Sequence, residues 1–261
     1  MKITEIKSCY VGPAISPEQF IAEHFFLFLA KGIINGYDGN KNYSLKPGES
    51  CLIRKNRLAR YNKQKENGEF EKVVIIFDEE FLKEFQVKHR IVQSKVKVDD
   101  TFIPMLKSKF ILDFVQKLSA FYKDEGKIDE HFSNKSREEL LLILLEQQPE
   151  LASVLFNFSM LGKINLEEFM NRNYKFNVNL ERFAYLTGRS LSSFKRDFKI
   201  IFNKTPNRWL IQKRLQEAHF LINNKKQKSS DIYLDLGFAD LSHFSYAFKK
   251  EFGLNPTEFV K

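Results

Sequence analysis

Cysteine is almost missing from this sequence. Cys9 and Cys51 are the two present in 261 residues, without the spacing of a metal cage, which excludes a disulfide scaffold and suits a reducing compartment. Long apolar runs are also missing: the longest, His24–Ala30 and Leu140–Leu145, fall far short of the ~20 residues of a membrane span. The opening Met1-Lys2-Ile3-Thr4-Glu5 has neither the apolar run nor the small-residue cleavage site of a secretory signal, so a cytoplasmic protein without a membrane partner is expected. There is no glycine-rich phosphate loop, no cluster of metal ligands and no nucleophile in a recognisable setting. An enzyme is therefore a poor reading, and no catalytic residue, cofactor or metal is expected.

What the chain does have is apolar mass and an uneven charge. Hydrophobic residues make up 43% of it, and 27 phenylalanines recur largely at helical spacing, enough for real cores. The net charge is +9, and residues 160–261 hold +8 of it. A basic half joined to a neutral one suggests a polyanion partner for the basic half. A solvated lysine surface is the competing explanation, and charge alone does not choose between them.

Up to about residue 90, short stretches of strand character (Phe25–Leu29, Tyr43–Leu45, Ser50–Ile53, Val73–Phe77) alternate with turn signals at Asn35-Gly36, Asp38-Gly39-Asn40 and Pro47-Gly48. A small antiparallel barrel or sandwich follows from that pattern. From about 102 the period changes. Phe110, Phe114, Leu118 and Phe121 predict a helix with one apolar face; Ser136-Arg137-Glu138-Glu139 has the form of a capping box opening a second helix that Pro149 ends, and Leu151–Phe158 starts another. Beyond about 160 every element reads as helix.

The strongest internal signal is a repeat with a period of fifty residues. Leu191-Ser192-Ser193-Phe194 falls on Leu241-Ser242-His243-Phe244, Phe198-Lys199 on Phe248-Lys249, Phe202 on Phe252, Pro206 on Pro256, and Trp209 on the aromatic Phe259. In the first copy Leu180–Thr187 makes a short helix, Gly188 and Arg189 the turn, and Ser190 the cap of a second helix reaching Phe202. In the second copy Asp231 is expected to cap a helix ending near Leu236, Gly237 to make the turn, and Asp240 to cap the next helix. Each copy is a helix-turn-helix.

The two second helices share a pattern of faces. Leu191, Phe194 and Phe198 form a buried stripe in one, leaving Ser192, Lys195, Arg196 and Lys199 together on another face. Phe244, Ala247 and Phe248 are the buried counterpart in the other, leaving Ser242, Ser245, Tyr246 and Lys249. Small hydroxyl residues allow close approach, and Arg, Lys and Tyr can reach base edges or phosphates. One such stripe is what any surface helix shows; two in register, each behind a turn signal in a basic domain, point to double-stranded DNA. His243 borders the second stripe, where a phosphate contact and a plain solvent-facing role both remain open.

Asp231-Ile232 and the run Leu236-Gly237-Phe238-Ala239-Asp240-Leu241-Ser242-His243-Phe244-Ser245-Tyr246-Ala247-Phe248-Lys249-Lys250-Glu251-Phe252-Gly253-Leu254-Asn255-Pro256 resemble the DNA-binding domain of the AraC/XylS family of transcription regulators. The resemblance covers roughly residues 165–261, and Arg214, Ala218 and Leu221 match the family's linker helix. It implies two recognition helices in successive major grooves, roughly one turn or ~34 Å apart. Its base-contacting positions map onto Ser192, Lys195 and Arg196, and onto Leu241, Ser242, Ser245 and Tyr246. The candidate DNA-binding set is completed by Ser193, Lys199 and Lys249. The chain departs from the family in ending Phe259-Val260-Lys261 where Tyr-Arg is frequent, and in having no arginine on the second helix, which implies weaker or more methyl- and shape-directed reading there.

The stretch from Leu45 to Ile53 is similar to a strand pair of the family's cupin-like sensor region. The implied fold is α+β: an N-terminal cupin-like antiparallel β-barrel with helices, then an all-α domain with two helix-turn-helix units joined by a linker helix. The implied domains are a sensor/regulatory domain over 1–101, a helical dimerisation and linker region over 102–158 and the DNA-binding domain over 159–261. Metal-binding cupins use a His-x-His pair, whereas His24, His89 and His131 are isolated, so no metal site is expected. The implied function is a transcription regulator, an activator, working as a homodimer through its N-terminal half and answering to a small-molecule or protein effector. An activator would also meet RNA polymerase. Phe25, Phe26, Phe28 and Tyr43 could line an effector pocket or be ordinary core; strand alternation favours core. A protein-interaction module is the rival reading, which the charge split disfavours.

Overall fold

The computed structural model describes residues 19–92, 99–125 and 130–259. Cys9, the side chain of Phe121 and Val260-Lys261 lie outside the described residues. The chain divides into two compact units, Met1–Ser159 and Met160–Lys261, each with its own core.

The first unit is built from antiparallel strands β1 (Phe20–Ile21), β2 (His24–Lys31), β3 (Ile33–Tyr37), β4 (Asn42–Leu45), β5 (Ser50–Ile53), β6 (Arg57–Leu58), β7 (Arg60–Gln64) and β8 (Glu71–Phe77). Helix α1 (Glu79–Lys88), strand β9 (Phe102–Pro104) and helices α2 (Lys109–Glu125), α3 (Glu130–Gln147) and α4 (Ala152–Leu155) follow. The described strands fall into three open antiparallel sheets, ordered β8-β2-β5-β9, β4-β3-β7 and β1-β6. Strand alternation assigns the faces of the four-stranded sheet. Phe26, Phe28, Leu52, Ile75 and Phe77 point into a core shared with α1 to α4, while Leu27, Leu29, Cys51 and Ile53 point into a second core with Ile34 and Tyr43 of the three-stranded sheet. Phe26 is thus ordinary core, Phe28 packs in the same core and also lines a cavity, and Phe25 packs half-buried at the second one.

Four expectations need correction here. Asn35-Gly36 is no turn but the middle of β3, paired on both sides; glycine is needed because a Cβ on Gly36 would meet the Phe102 ring at 2.8 Å. Ser136 opens no helix, since α3 already runs from Glu130 and buries Ser136 and Arg137 within it. Arg137 instead pairs with buried Asp78, the cap of α1, and lies 4.0 Å over the Phe81 ring. Phe110 is 68% exposed, the buried stripe of α2 being Ile111, Phe114, Val115 and Leu118. After α3, Pro149 begins a 3-10 turn at Pro149–Leu151, and α4 extends only to Leu155 instead of Phe158.

The second unit is all helix: α5 (Leu166–Asn173), α6 (Leu180–Leu186), α7 (Leu191–Phe202), α8 (Pro206–Lys225), α9 (Ser229–Ile232) and α10 (Leu241–Phe252), with a closing 3-10 turn at Pro256–Phe259. The α+β class read from the sequence holds. One boundary moves: α9 begins at Ser229 with Asp231 inside its first turn, so Asp231 does not cap it, and the chain continues from Ile232 to Gly237 as turns instead of helix.

Candidate nucleic-acid interface

Helices α7 and α10 start the same way. The Ser190 hydroxyl accepts from the Ser193 N–H at 3.2 Å, and the Asp240 carboxylate accepts from the His243 N–H at 2.6 Å, satisfying donors that a helix start leaves unpaired. Each helix then presents a ladder of rings inward. Phe194 and Phe198 have centroids 5.6 Å apart, their counterparts Phe244 and Phe248 5.8 Å, both tilted by 48°. Phe198 meets Trp209 edge-on at 5.6 Å; Phe248 meets Phe259 edge-on at 5.5 Å. The fifty-residue repeat is therefore a repeat of packing, and it fixes both helices on equivalent undersides.

The linker helix α8 packs on both helix-turn-helix repeats, through Trp209 against Phe198 and through Leu215, Ala218 and Ile222 in the core of Phe244 and Phe248, and its buried Arg214 bonds to the backbone ahead of each. Arg214 donates from Nε to the Tyr174 carbonyl (2.7 Å), from Nη2 to the Phe176 carbonyl (2.8 Å) and from Nη1 to the Gly237 carbonyl (2.8 Å). The first two acceptors lie just before α6 and the third is in the turn before α10. Burial pushes this guanidinium down to about 10, still fully charged at neutral pH. Gly237 makes the arrangement possible. It holds φ +85, and a Cβ there would come within 2.6 Å of the Lys175 carbonyl and 2.9 Å of Arg214.

With the undersides fixed, the sequence-derived candidates are sorted by exposure. On α7, Ser192, Lys195, Arg196 and Lys199 are exposed on one face, and Ser193 is half-buried at its flank. On α10, Leu241, Ser242, Tyr246 and Lys249 are exposed and Ser245 is half-buried. Tyr246 is the most prominent apolar-bodied group of its helix at 69% exposure. Leu191 and Ala247, expected in the buried stripes, are half-buried. Lys195, Lys199 and Lys249 take no ion-pair partner among the described residues, leaving their charge available to an anion.

Arg196 has company. Its Nη2 donates to the Ser193 hydroxyl at 3.3 Å and to Asp197 Oδ1 at 3.4 Å. The other Asp197 oxygen accepts from Arg189 Nε at 3.1 Å, and Arg189 Nη1 donates to the carbonyls of Thr187 (2.8 Å) and Ile164 (3.0 Å). The Arg189 hydrogen bond, with the Arg196 charge beside it, holds the Asp197 carboxyl below the usual carboxylate range. Neither Arg189 nor Asp197 was among the sequence-derived candidates. The signal for them lies in the positions where the repeat disagrees: Arg189 falls on Ala239 and Asp197 on Ala247, a paired change from charged to small.

The histidines are scattered, as their spacing implies. His24 is buried and accepts from the Lys55 N–H, its pKa pushed down to about 3 by burial and by the charges of Lys55 and Arg54. His89 faces Glu138 at 2.7 Å, and His131 is exposed. Among the described residues no three of His, Cys, Asp and Glu gather into a group that could hold a metal ion, and no helix is long and apolar enough to cross a membrane.

The chain is similar to known transcription regulators. The family model of the ExsA N-terminal regulatory domain matches residues 24–154, half of the chain, and a helix-turn-helix domain model matches 183–261. The virulence regulon transcriptional activator VirF of Yersinia enterocolitica is 26% identical over 236 residues, covering 88% of this chain and 86% of its own length. The HTH-type transcriptional regulator ExsA of Pseudomonas aeruginosa is 25% identical over 258 residues, covering 97% and 91%. A crystal structure of ToxT from Vibrio cholerae covers 99% of this chain and 97% of that one, at 12% identity and a TM-score of 0.41. The chain belongs to the AraC-type family of helix-turn-helix, DNA-binding transcription regulators, with a regulatory domain of the ExsA kind in its N-terminal half.

Proposed function

We propose that this regulator reads double-stranded DNA by laying α7 and α10 in two successive major grooves, about one helical turn apart. One observation carries the reading: two helices with the same aromatic underside, tied to one linker by Arg214, each turn a polar stripe to solvent. Ser192, Lys195 and Arg196 then address bases from α7, with Ser193 at the flank; Leu241, Ser242, Ser245 and Tyr246 do so from α10. Lys199 and Lys249 meet phosphates. The exposed leucine and the tyrosine in place of an arginine give the second helix a taste for thymine methyls and groove shape.

The N-terminal unit supplies the regulatory input and the second copy of a homodimer. Phe110, exposed on α2, and Leu142, 42% exposed on α3, support pairing through these helices. A cavity of about 210 Å³ lined by Phe28, Leu45, Met105 and Ile111 together with Glu49 and Lys107 offers a small-molecule effector a mixed apolar and charged site, and a protein effector is the alternative. VirF is named an activator; activation here, through contact with RNA polymerase in the cytoplasm, is the matching proposal. Binding alone, without catalysis or cofactor, carries the function.

Selection of the full chain against a random DNA pool at near-physiological salt tests the reading. Two short preferred blocks one turn apart are expected, and Arg196→Ala should relax one position of one block at a cost of about 1–3 kcal/mol of specific binding. Enrichment without any motif would reduce the protein to a backbone binder and refute the base assignments.

A further inference from the structure

We infer that Asp197 and Arg189 are positioning residues for Arg196, aiming its guanidinium and thereby setting how sharply the first recognition helix discriminates its base pair. The inference rests on the reading above that Arg196 contacts a base.

A bidentate contact to a guanine edge needs the flat fork of an arginine in one orientation, and a long side chain at 69% exposure is otherwise free to explore many. Three contacts in series narrow that freedom. The carbonyls of Ile164 and Thr187 hold Arg189, whose side chain is 10% exposed; Arg189 holds one oxygen of Asp197; the other oxygen and the Ser193 hydroxyl hold Arg196. The last contacts, at 3.3 and 3.4 Å, are the longest of the series. Such contacts orient a side chain while letting it leave for a better partner.

The charge count points the same way. A carboxylate on the flank of a DNA-reading helix repels phosphate, which works against affinity for any sequence. Arg189 offsets that charge from the buried side, so the trio presents one net positive charge and only Arg196 is exposed to use it. The second helix has the contrast built in. Where α7 carries Arg189, Arg196 and Asp197, the repeat carries Ala239, Tyr246 and Ala247. The unit without a reading arginine lacks both members of the pair that would aim one.

The experiment uses the full chain, the duplex enriched from the random pool, and the same duplex with its motif scrambled. Asp197→Asn removes the charge and keeps the shape. It should reduce discrimination at Arg196's base pair about two- to fivefold, strengthen binding to the scrambled duplex, and steepen its salt dependence by up to about one unit of log–log slope. Damage to the fold would weaken binding to both duplexes, so stronger non-specific binding with weaker discrimination separates aiming from mere support. The double change Arg189→Ala with Asp197→Ala copies the second unit and should lose the same discrimination. Arg196→Ala is the reference, at about ten- to hundredfold. If Arg196→Ala changes the preference while Asp197→Asn and the double variant keep the wild-type preference, the positioning role is wrong and the base reading stands. If Arg196→Ala itself leaves the preference intact, the base reading fails and this inference falls with it.

Discussion

The two helix-turn-helix units of this chain have the same underside and different clasps. In the first, the turn is held by polar means: the Thr187 hydroxyl donates back to the Phe183 and Ala184 carbonyls, Gly188 sits hard against the Gly162 carbonyl, and Arg189 bridges Ile164, Thr187 and Asp197. In the second the turn is apolar. Phe238 is buried edge-on against Phe244 at 5.1 Å, and Gly237 presses on Arg214. The orientation of a recognition helix thus follows from its ring ladder, because that ladder is what the two copies share. The turn is free to be rebuilt, and in the first copy it was rebuilt beside the only arginine on either stripe.

The comparison is most easily broken at Arg214, whose hydrogen bonds reach the backbone ahead of both α6 and α10. Arg214→Met should strand three buried carbonyl oxygens, each costing about 1–3 kcal/mol, for a loss of at least about 3 kcal/mol in the C-terminal unit. Denaturant unfolding would read this, and both preferred DNA blocks should vanish together. Loss of one block alone would mean that the units do not share this anchor.

Three glycines with positive φ then grade the clasps. Gly237→Ala should be worst, about 2–3 kcal/mol, because a Cβ meets both a backbone oxygen and the fixed Arg214. Gly188→Ala, facing the Gly162 carbonyl at 2.4 Å, should cost less, about 1–2 kcal/mol, because residues 162–164 are exposed and can shift. Gly253→Ala ends α10 with nothing within 4 Å and should show the conformational penalty alone, about 1 kcal/mol. Unfolding midpoints order the three; equal values would mean that the neighbours yield as readily around Arg214 as at the exposed segment.

What was legible in the sequence was what repeats. The shift of fifty residues found both recognition helices, their caps at Ser190 and Asp240, and the equivalence of Trp209 with Phe259, because each depends on residues close in sequence and on helical spacing. What failed had a distant partner. Ser136-Arg137-Glu138-Glu139 has the local chemistry of a cap, yet Arg137 is spent on Asp78 from another helix. Asn35-Gly36 has the chemistry of a turn, yet Gly36 is there to admit the Phe102 ring. Arg189 read as a turn residue because two of its partners, the Ile164 carbonyl and the Asp197 carboxylate, are brought near only by folding. Periodicity also put Phe110 on the buried face of α2, while the cluster Ile111, Phe114, Val115 and Leu118 leaves it outside. In each case the residue type was read correctly and its partner was not.

The smallest expected effect is the sharpest test of symmetry. Lys199 and Lys249 occupy the same place in the repeat and both are exposed. If each neutralises one phosphate, Lys199→Ala and Lys249→Ala should each weaken all sequences about equally and each lower the salt slope by about 1. The double variant should lower it by about 2, since each charge displaces its own counterion. The following residue is where the copies part: Ile200, 75% exposed, stands opposite Lys250. Lys250→Ala should therefore lower the slope only if the second helix grips the backbone with one lysine more than the first. An unchanged slope would place Lys250 away from the phosphates and leave the two helices electrostatically equal, so that their difference in reading rests on Arg196 against Tyr246.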